Sequence, residues 1–220
     1  MQSEILNRAF FTRNNVEIIA RELLGKFLLT KQNSKAAHIK ESGLTGGIIT
    51  EVEAYLGVKD MASHAYNGHR SNRNESLYKD GGIAYIHLCY GIHNMFNIVT
   101  NKAGVPQGVL IRRLIPVYGI DIMRERRGGS LKPDNNLTEG PGNLTKALGI
   151  EMRHNGVLVC QDDAIETGNN LDLEIFLEDR GIKIDENMIV MSPRIGVGYA
   201  KEWAKKPLRF HLDERLNLLN

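Results

Sequence analysis

Three observations predict an α+β fold in a single domain spanning residues 1–220. Segments of helical and strand periodicity alternate from the N-terminus onward, the densest β-rich segment turns back on itself around a Tyr-Gly pair, and no repeat, low-complexity tract or linker divides the chain. With 220 residues, 42% hydrophobic and 25% charged, the composition is that of a globular protein able to bury a core, and it excludes disordered and fibrous classes. No apolar run approaches the ~18 residues of a membrane span. The N-terminal "MQSEILNRAFF" lacks the basic-then-apolar order of a signal peptide, so an intracellular protein is expected.

The elements follow in order. "NNVEIIARELLGK" sets Val16, Ile19, Ala20, Leu23 and Leu24 on one helical stripe, with Asn14 or Asn15 as cap and Gly25 as terminator. "KFLLTK" reads as a strand, "NSKAAHIKESG" as an irregular connection or short strand, and "GGIITEVEAYL" as a second strand. "GGIAYIHLCYGIHNMFNIVTN" (81–101) reads as two strands joined near Tyr90-Gly91, because Gly91 supplies a positive φ and leaves Tyr90 at the tip. "QGVLIRRLIPV" is a further strand with Leu110 and Arg112 on one face. "GIDIMRERRGG" is a short helix ending in glycine, "SLKPDNNLTEGPGN" a long polar, mobile loop, and "NLTKALGI" another short helix. The C-terminal third has strand-like "GVLVC", "DLEIFLE" and "LRFHL", and "SPRIGVGYAKEWAKK" leads from a loop into a helical turn.

Charge and cysteine content constrain function less. The net charge of +2 does not demand a polyanionic partner, although basic residues cluster at 69–73, 111–113, 124–127 and 201–209. Cys89 and Cys160 show no CxxC spacing and are expected as core thiols. The histidines have no compact ligand spacing, so no metal site is predicted. "GVGYAK" lacks the third glycine of a dinucleotide loop, and "GPGN" reads as a turn and cap before a helix more readily than as a phosphate site at the helix N-terminus.

The segment "ITEVEAYLG" raises the sharpest question. On a regular strand Glu51, Glu53 and Tyr55 leave one face, and the two carboxylates lie roughly 7 Å apart with like charge. The bland reading is the wet face of an edge strand. The other reading is a site for a planar ligand that activates water, since His64 follows in a loop and Tyr85, His87 and Cys89 share one face of the hairpin strand.

"TEVEAYLGVKDMASHA", "NRNESLYKDGGIAYIHLCYGIHNMFNIV", "GVLIRRLIP" and "SPRIGVGYAKEWAKKPLRF", in that order and spacing, resemble the alkyladenine (3-methyladenine, N-methylpurine) DNA glycosylase family over about nine-tenths of the chain. The resemblance implies a curved, mainly antiparallel sheet with surrounding helices and a protruding β-hairpin that enters the DNA minor groove while a damaged purine is flipped into a pocket. By resemblance Glu53 is the general base and Glu51 is not, Tyr55 and His87 stack on the two sides of the base, and His64 donates to its edge. Asn97 disfavours guanine, and Arg112 lies near the nucleophilic water. Tyr90 is the wedge, flanked by Ile92 and His93. Arg73 and Lys206 are candidate phosphate contacts drawn from the basic clusters. His87 stands where other members carry tyrosine, and Ile92 and His93 replace a methionine and a tyrosine.

The expected activity is that of a monofunctional glycosylase acting on alkylated or deaminated purines in duplex DNA: 3-methyladenine, 7-methylguanine, hypoxanthine and ethenoadenine. It would act as a monomer without metal or cofactor, in the cytoplasm or nucleoid, or in the nucleus of a eukaryote. No lysine matches a catalytic position, so no Schiff base is implied. Two other readings remain open on sequence: a carbohydrate glycosidase using Glu51 and Glu53, and a module that binds damaged DNA without releasing a base.

Overall fold

Asn15 opens the first long helix as its apolar stripe predicts. In the computed structural model, which describes residues 3–32, 43–129, 131, 133–162 and 172–213, the Asn15 side chain accepts hydrogen bonds from the N–H groups of Glu17 and Ile18. Two short elements, β1 (Glu4–Ile5) and α1 (Arg8–Phe11), precede this helix, α2 (Val16–Leu23), which buries Val16, Ile19, Ala20 and Leu23. Gly25, at φ 82°, turns the chain into β2 (Phe27–Gln32). Apart from Gly43, the predicted connection at 33–43 lies outside the described residues.

The remaining described residues build one antiparallel sheet and the helices on it. Its strands are β3 (Leu44–Tyr55), the hairpin β4 (Ala84–Cys89) and β5 (His93–Thr100), and β6 (Gln107–Tyr118). The helices α3 (Ile120–Arg126) and α4 (Pro141–Leu148) follow, then β7 (Leu173–Asp179), β8 (Ile189–Ser192) and β9 (Arg209–Leu212). The order across the sheet is β1-β7-β2-β3-β6-β5-β4, with β9 joined to β3 and β8. The predicted α+β class and single sheet with helices around it are therefore observed. No helix among the described residues is long and apolar enough to cross a membrane.

β3 is an interior strand, which corrects the edge-strand reading of "ITEVEAYLG". It pairs with β6 along most of its length, and on its other side with β2 and then with β9. Its alternation is broken in the middle. Ile49 pairs with Leu114, Glu51 with Arg113 and Val52 with Ile111, so Thr50 on β3 and Arg112 on β6 each stand without an opposite partner. These adjacent bulges shift the phase by one residue: Ile49, Val52 and Ala54 all enter the main core, whereas strict alternation would have separated the first from the other two.

Three other expectations change. "GVLVC" is no regular strand; its Leu158 makes an isolated bridge to Ile83, and the Val159 N–H bonds the Gly82 carbonyl, because the segment is stitched to the start of the hairpin. Of the polar stretch before α4, Ser130 and Lys132 lie outside the described residues, while Leu137 and Thr138 are fully buried and the Thr138 hydroxyl donates to the Leu114 carbonyl at 2.6 Å, which anchors this part. Cys160 is a buried thiol, but Cys89 is only half-buried at the end of β4.

The pair Gly46-Gly47 lets both neighbouring strands close on β3. A Cβ on Gly47 would lie 1.8 Å from the carbonyl oxygen of Ile115, and one on Gly46 would lie 2.2 Å from that of Leu28. Gly47→Ala is expected to destabilise the protein by about 3 kcal/mol or more, since backbone rather than a side chain has to move. A lowered urea midpoint with unchanged m-value checks this.

Candidate active site

Pleating and the bulge at Arg112 bring the chemistry-bearing residues to one end of the sheet. They surround a cavity of about 490 Å³, within the ordinary range for a small-molecule site. Tyr55 comes from β3, His64 from the loop after it, Tyr85, His87 and Cys89 from β4, Asn97 from β5, Leu110 and Arg112 from β6, and Ile195–Val197 from the turn before the C-terminal helical segment. Tyr90 reaches the rim from the hairpin tip.

Glu53 sits behind that wall, with no exposed surface. One of its oxygens accepts from the Ile195 N–H at 2.8 Å and lies 3.2 Å from Arg112 Nη1, while the other accepts from the Tyr55 hydroxyl at 2.9 Å. Burial raises its pKa above the usual carboxylate value; Arg112, the Ile195 N–H, the Tyr55 hydroxyl and Arg194 oppose the rise without cancelling it. Burial, then the neighbouring Glu53 charge, pushes the Tyr55 phenol well above its ordinary value, so Tyr55 stays a donor.

Arg112 answers the question of the paired glutamates. Its Nε donates to Glu51 Oε1 at 2.9 Å while its Nη1 faces Glu53, so one guanidinium bridges the two carboxylates. Glu51 also accepts from Arg209 Nη1 at 2.9 Å. Each carboxylate is thereby countered by a buried or half-buried cation, and Glu51 is outside the cavity lining.

The opposite wall is aromatic and uncharged. His64 Nδ1 lies 2.7 Å from the Tyr85 hydroxyl, and the His64 and His87 rings meet edge to face with centroids 4.4 Å apart. Burial, followed by the neighbouring His64, depresses the His87 pKa to about 4. Burial and then His69 lower that of His64. Asn97 is 5% exposed and fixed by donating its amide to the Tyr85 carbonyl at 3.1 Å; the same nitrogen lies 3.4 Å from His87 Nδ1.

The hairpin tip is a tight turn with Tyr90 at φ 51° and Gly91 at φ 73°, closed by the Ile92 N–H donating to the Cys89 carbonyl at 3.2 Å. Tyr90 is 89% and Ile92 73% exposed, and His93 is exposed at the start of β5. Two large apolar side chains thus stand in solvent beside the cavity. Of the expected phosphate contacts, Arg73 is exposed, and Lys206 is exposed with its Nζ 3.2 Å from the centroid of the Trp203 ring. The basic cluster at 124–127 is committed internally: Arg126 donates to Thr45 and Ala147, and Arg127 to Asn143.

The profile of the methylpurine-DNA glycosylase family matches residues 9–216. The chain belongs to that family. It is similar to the 3-methyladenine DNA glycosylase assigned to Chlamydia felis, with 39% identity over 95% of this chain and 96% of the relative. Chains with the same assignment are 37% identical in Bacillus mycoides (93% and 94% covered) and 34% identical in Clostridium novyi (95% of each). As a methylpurine-DNA glycosylase the protein is a hydrolase of N-glycosyl bonds acting on DNA, which replaces the carbohydrate-glycosidase and pure-binding readings.

Within this glycosylase, the expected residues Glu53, Tyr55, His64, His87, Asn97, Arg112 and Tyr90 converge on one cavity, Glu53 from just behind its wall. Ile92 and His93 adjoin the tip, whereas Arg73 and Lys206 do not line the cavity. Sequence reasoning missed Arg194, Asp60 and the Ile195 N–H. They lie in segments read as loops, and a backbone donor leaves no trace in residue type.

The depressed histidines carry a sign. His87 binds its proton less readily folded, at about pH 4, than at its ordinary 6.5, so the unfolded chain holds more protons between those values. Stability is fully present above pH 6.5 and is lost as pH falls from there toward 4, with His64 acting in the same direction. His87→Phe is expected to flatten this slope, as measured by urea unfolding at several pH values. Proton NMR of the native protein should find His87 neutral at pH 6.

Proposed function

We propose that residues 1–220 act as one monomeric glycosylase domain that flips alkylated or deaminated purines out of duplex DNA and hydrolyses their N-glycosidic bond with a water activated by Glu53. The observation that carries the reading is a fully buried carboxylate, held by Arg112, Tyr55 and Ile195, against a cavity whose other wall is aromatic and neutral. In the proposed reaction the bond from C1′ to the purine nitrogen breaks and its electron pair leaves with the base. The water oxygen bonds to C1′, and its proton passes to Glu53. The carboxylate also offsets positive charge developing on the sugar.

Tyr55 and His87 would hold the two faces of the purine, and the neutral His64 would offer a ring nitrogen to its edge. Asn97, pinned by the Tyr85 carbonyl, would crowd a guanine 2-amino group. Tyr90 would fill the gap left in the duplex, flanked by Ile92 and His93, and the exposure of an aromatic ring at a strained turn supports that role. The substrates proposed are 3-methyladenine, 7-methylguanine, hypoxanthine and ethenoadenine. Arg73 and Lys206 are proposed phosphate contacts.

Single-turnover release of hypoxanthine from a duplex tests the assignment. Glu53→Gln is expected to slow release by about 10²-fold or more while leaving DNA binding intact. Glu51→Gln should cost less, because Arg112 keeps its contact with Glu53. Release by Glu53→Gln at the native rate would remove the general base. Tyr90→Ala is expected to weaken damage-specific binding about tenfold or more. Arg73→Ala and Lys206→Ala should each lower the slope of log K against log salt by about 0.9, measured by fluorescence anisotropy.

A further inference from the structure

Arg194 and Asp60 form a buried ion pair with no exposed side-chain surface on either partner, and neither lines the cavity. The two guanidinium nitrogens Nη1 and Nη2 meet the Asp60 oxygens at 2.6 and 2.8 Å, and Nη1 also donates to the Ala54 carbonyl at 2.9 Å. Asp60 itself accepts from the N–H groups of Leu56 and Ala62, so the clamp is anchored in the loop that leads to His64. The Arg194 guanidinium lies 4.6 Å from the Tyr55 ring centroid, and the next residue in the chain supplies the N–H bound to Glu53. We propose that Arg194 is a positioning residue for Glu53: clamped on Asp60, it fixes the Ile195 N–H on one carboxylate oxygen and, by backing the Tyr55 ring, fixes the Tyr55 hydroxyl on the other. The inference rests on the reading of Glu53 as the general base.

Two of the three donors to Glu53 depend on this clamp, and the third does not. Ile195 follows Arg194 directly, Tyr55 leans on its guanidinium, and Arg112 comes independently from β6. The groups facing Glu53 are Tyr55 and Glu51, two residues to either side on β3, Arg112 from β6, Arg209 paired with Glu53 on β9, and Arg194 with the Ile195 N–H from the turn. Arg209 spends its donors on Glu51 and on the Pro193 carbonyl at 3.1 Å, so it steadies the same turn from the other side. A lysine at 194 keeps the charge but cannot fork onto both Asp60 oxygens while holding the Ala54 carbonyl. Loss of the clamp loosens hydrogen bonds that favour the ionised carboxylate, so Glu53 becomes harder to ionise.

The test is the pH dependence of single-turnover hypoxanthine release by the full chain on duplex DNA, beside a carbon-13 NMR titration of the Glu53 carboxyl in the DNA-free protein. Since removing one member of a buried pair strands the other, Asp60→Asn/Arg194→Gln is measured together with Arg194→Lys. The double variant is expected to move the acid limb and the NMR midpoint upward by about one pH unit, the equivalent of one charge-assisted hydrogen bond, and Arg194→Lys by less. Acid limbs and midpoints that coincide with the native ones, with rates merely scaled down, would overturn the positioning role. Glu53→Gln is run in parallel. Native-rate release by that variant overturns the general-base reading, while the NMR midpoints still decide whether Arg194 tunes the carboxyl.

Discussion

The fold is arranged around one expensive group, the carboxylate of Glu53 held away from water. An isolated carboxylate in a protein interior would take up a proton or unfold its surroundings, so it needs donors from several directions. Here they arrive from three parts of the chain that meet only in the folded sheet: the Tyr55 hydroxyl two residues along β3, Arg112 from β6, and the Ile195 N–H from the turn before β9. The bulges at Thr50 and Arg112 belong to the same arrangement. A regular ladder would have placed a side chain opposite Arg112, and the extra residue aims its guanidinium between two carboxylates. The donors reduce the rise in the Glu53 pKa without abolishing it, which is compatible with the base role proposed for it.

Charge is segregated across the cavity. Arg112 and Arg194 lie on the Glu53 side, each balanced by a carboxylate, while His64, His87 and Tyr85 form a wall kept neutral by burial. A neutral imidazole at 87 presents a flat, uncharged ring to the cavity, which is compatible with the stacking role proposed for it. Asn97, between the two sides, is immobilised by its own backbone partners, the Tyr85 and Met95 carbonyls.

Much of the scaffold was legible in the sequence because local rules and global fold agree there. The stripe of α2 with its Asn15 cap, the strands at 27–32, 44–55 and 107–118 and the hairpin turn at Tyr90-Gly91 all follow from periodicity and turn chemistry. Legibility failed where backbone geometry, not residue type, decides. The phase shift at Thr50 is invisible to an alternation argument, which treats Glu51 and Glu53 as equivalents on a wet edge; pairing on both sides of β3 buries one and leaves the other at 14% side-chain exposure. Cys89 has the apolar neighbours of a core thiol but falls at the strand end beside the cavity mouth. The Asp60–Arg194 pair spans 134 positions of sequence, so only the closed fold joins them.

These departures from local rules are concentrated at the site, and their costs differ in kind. Tyr90 holds a left-handed backbone that disfavours a bulky side chain by roughly 1–2 kcal/mol, and it does so with its ring in solvent, where no folded-state packing offsets the strain. Glu53 carries a desolvation penalty that its donors only partly offset. His87 costs stability as pH falls toward 4, and His64 acts in the same direction. None of these features strengthens the free protein, whereas each is suited to contact with DNA or a purine: an exposed ring to fill a gap, a poised carboxylate, and neutral rings to stack. A sequence optimised for stability alone would place a small polar residue at the tip and an amide at 53. These costlier choices sit together at the cavity and the hairpin tip, on a scaffold otherwise consistent with its local signals, which is the pattern the proposed use of that surface requires.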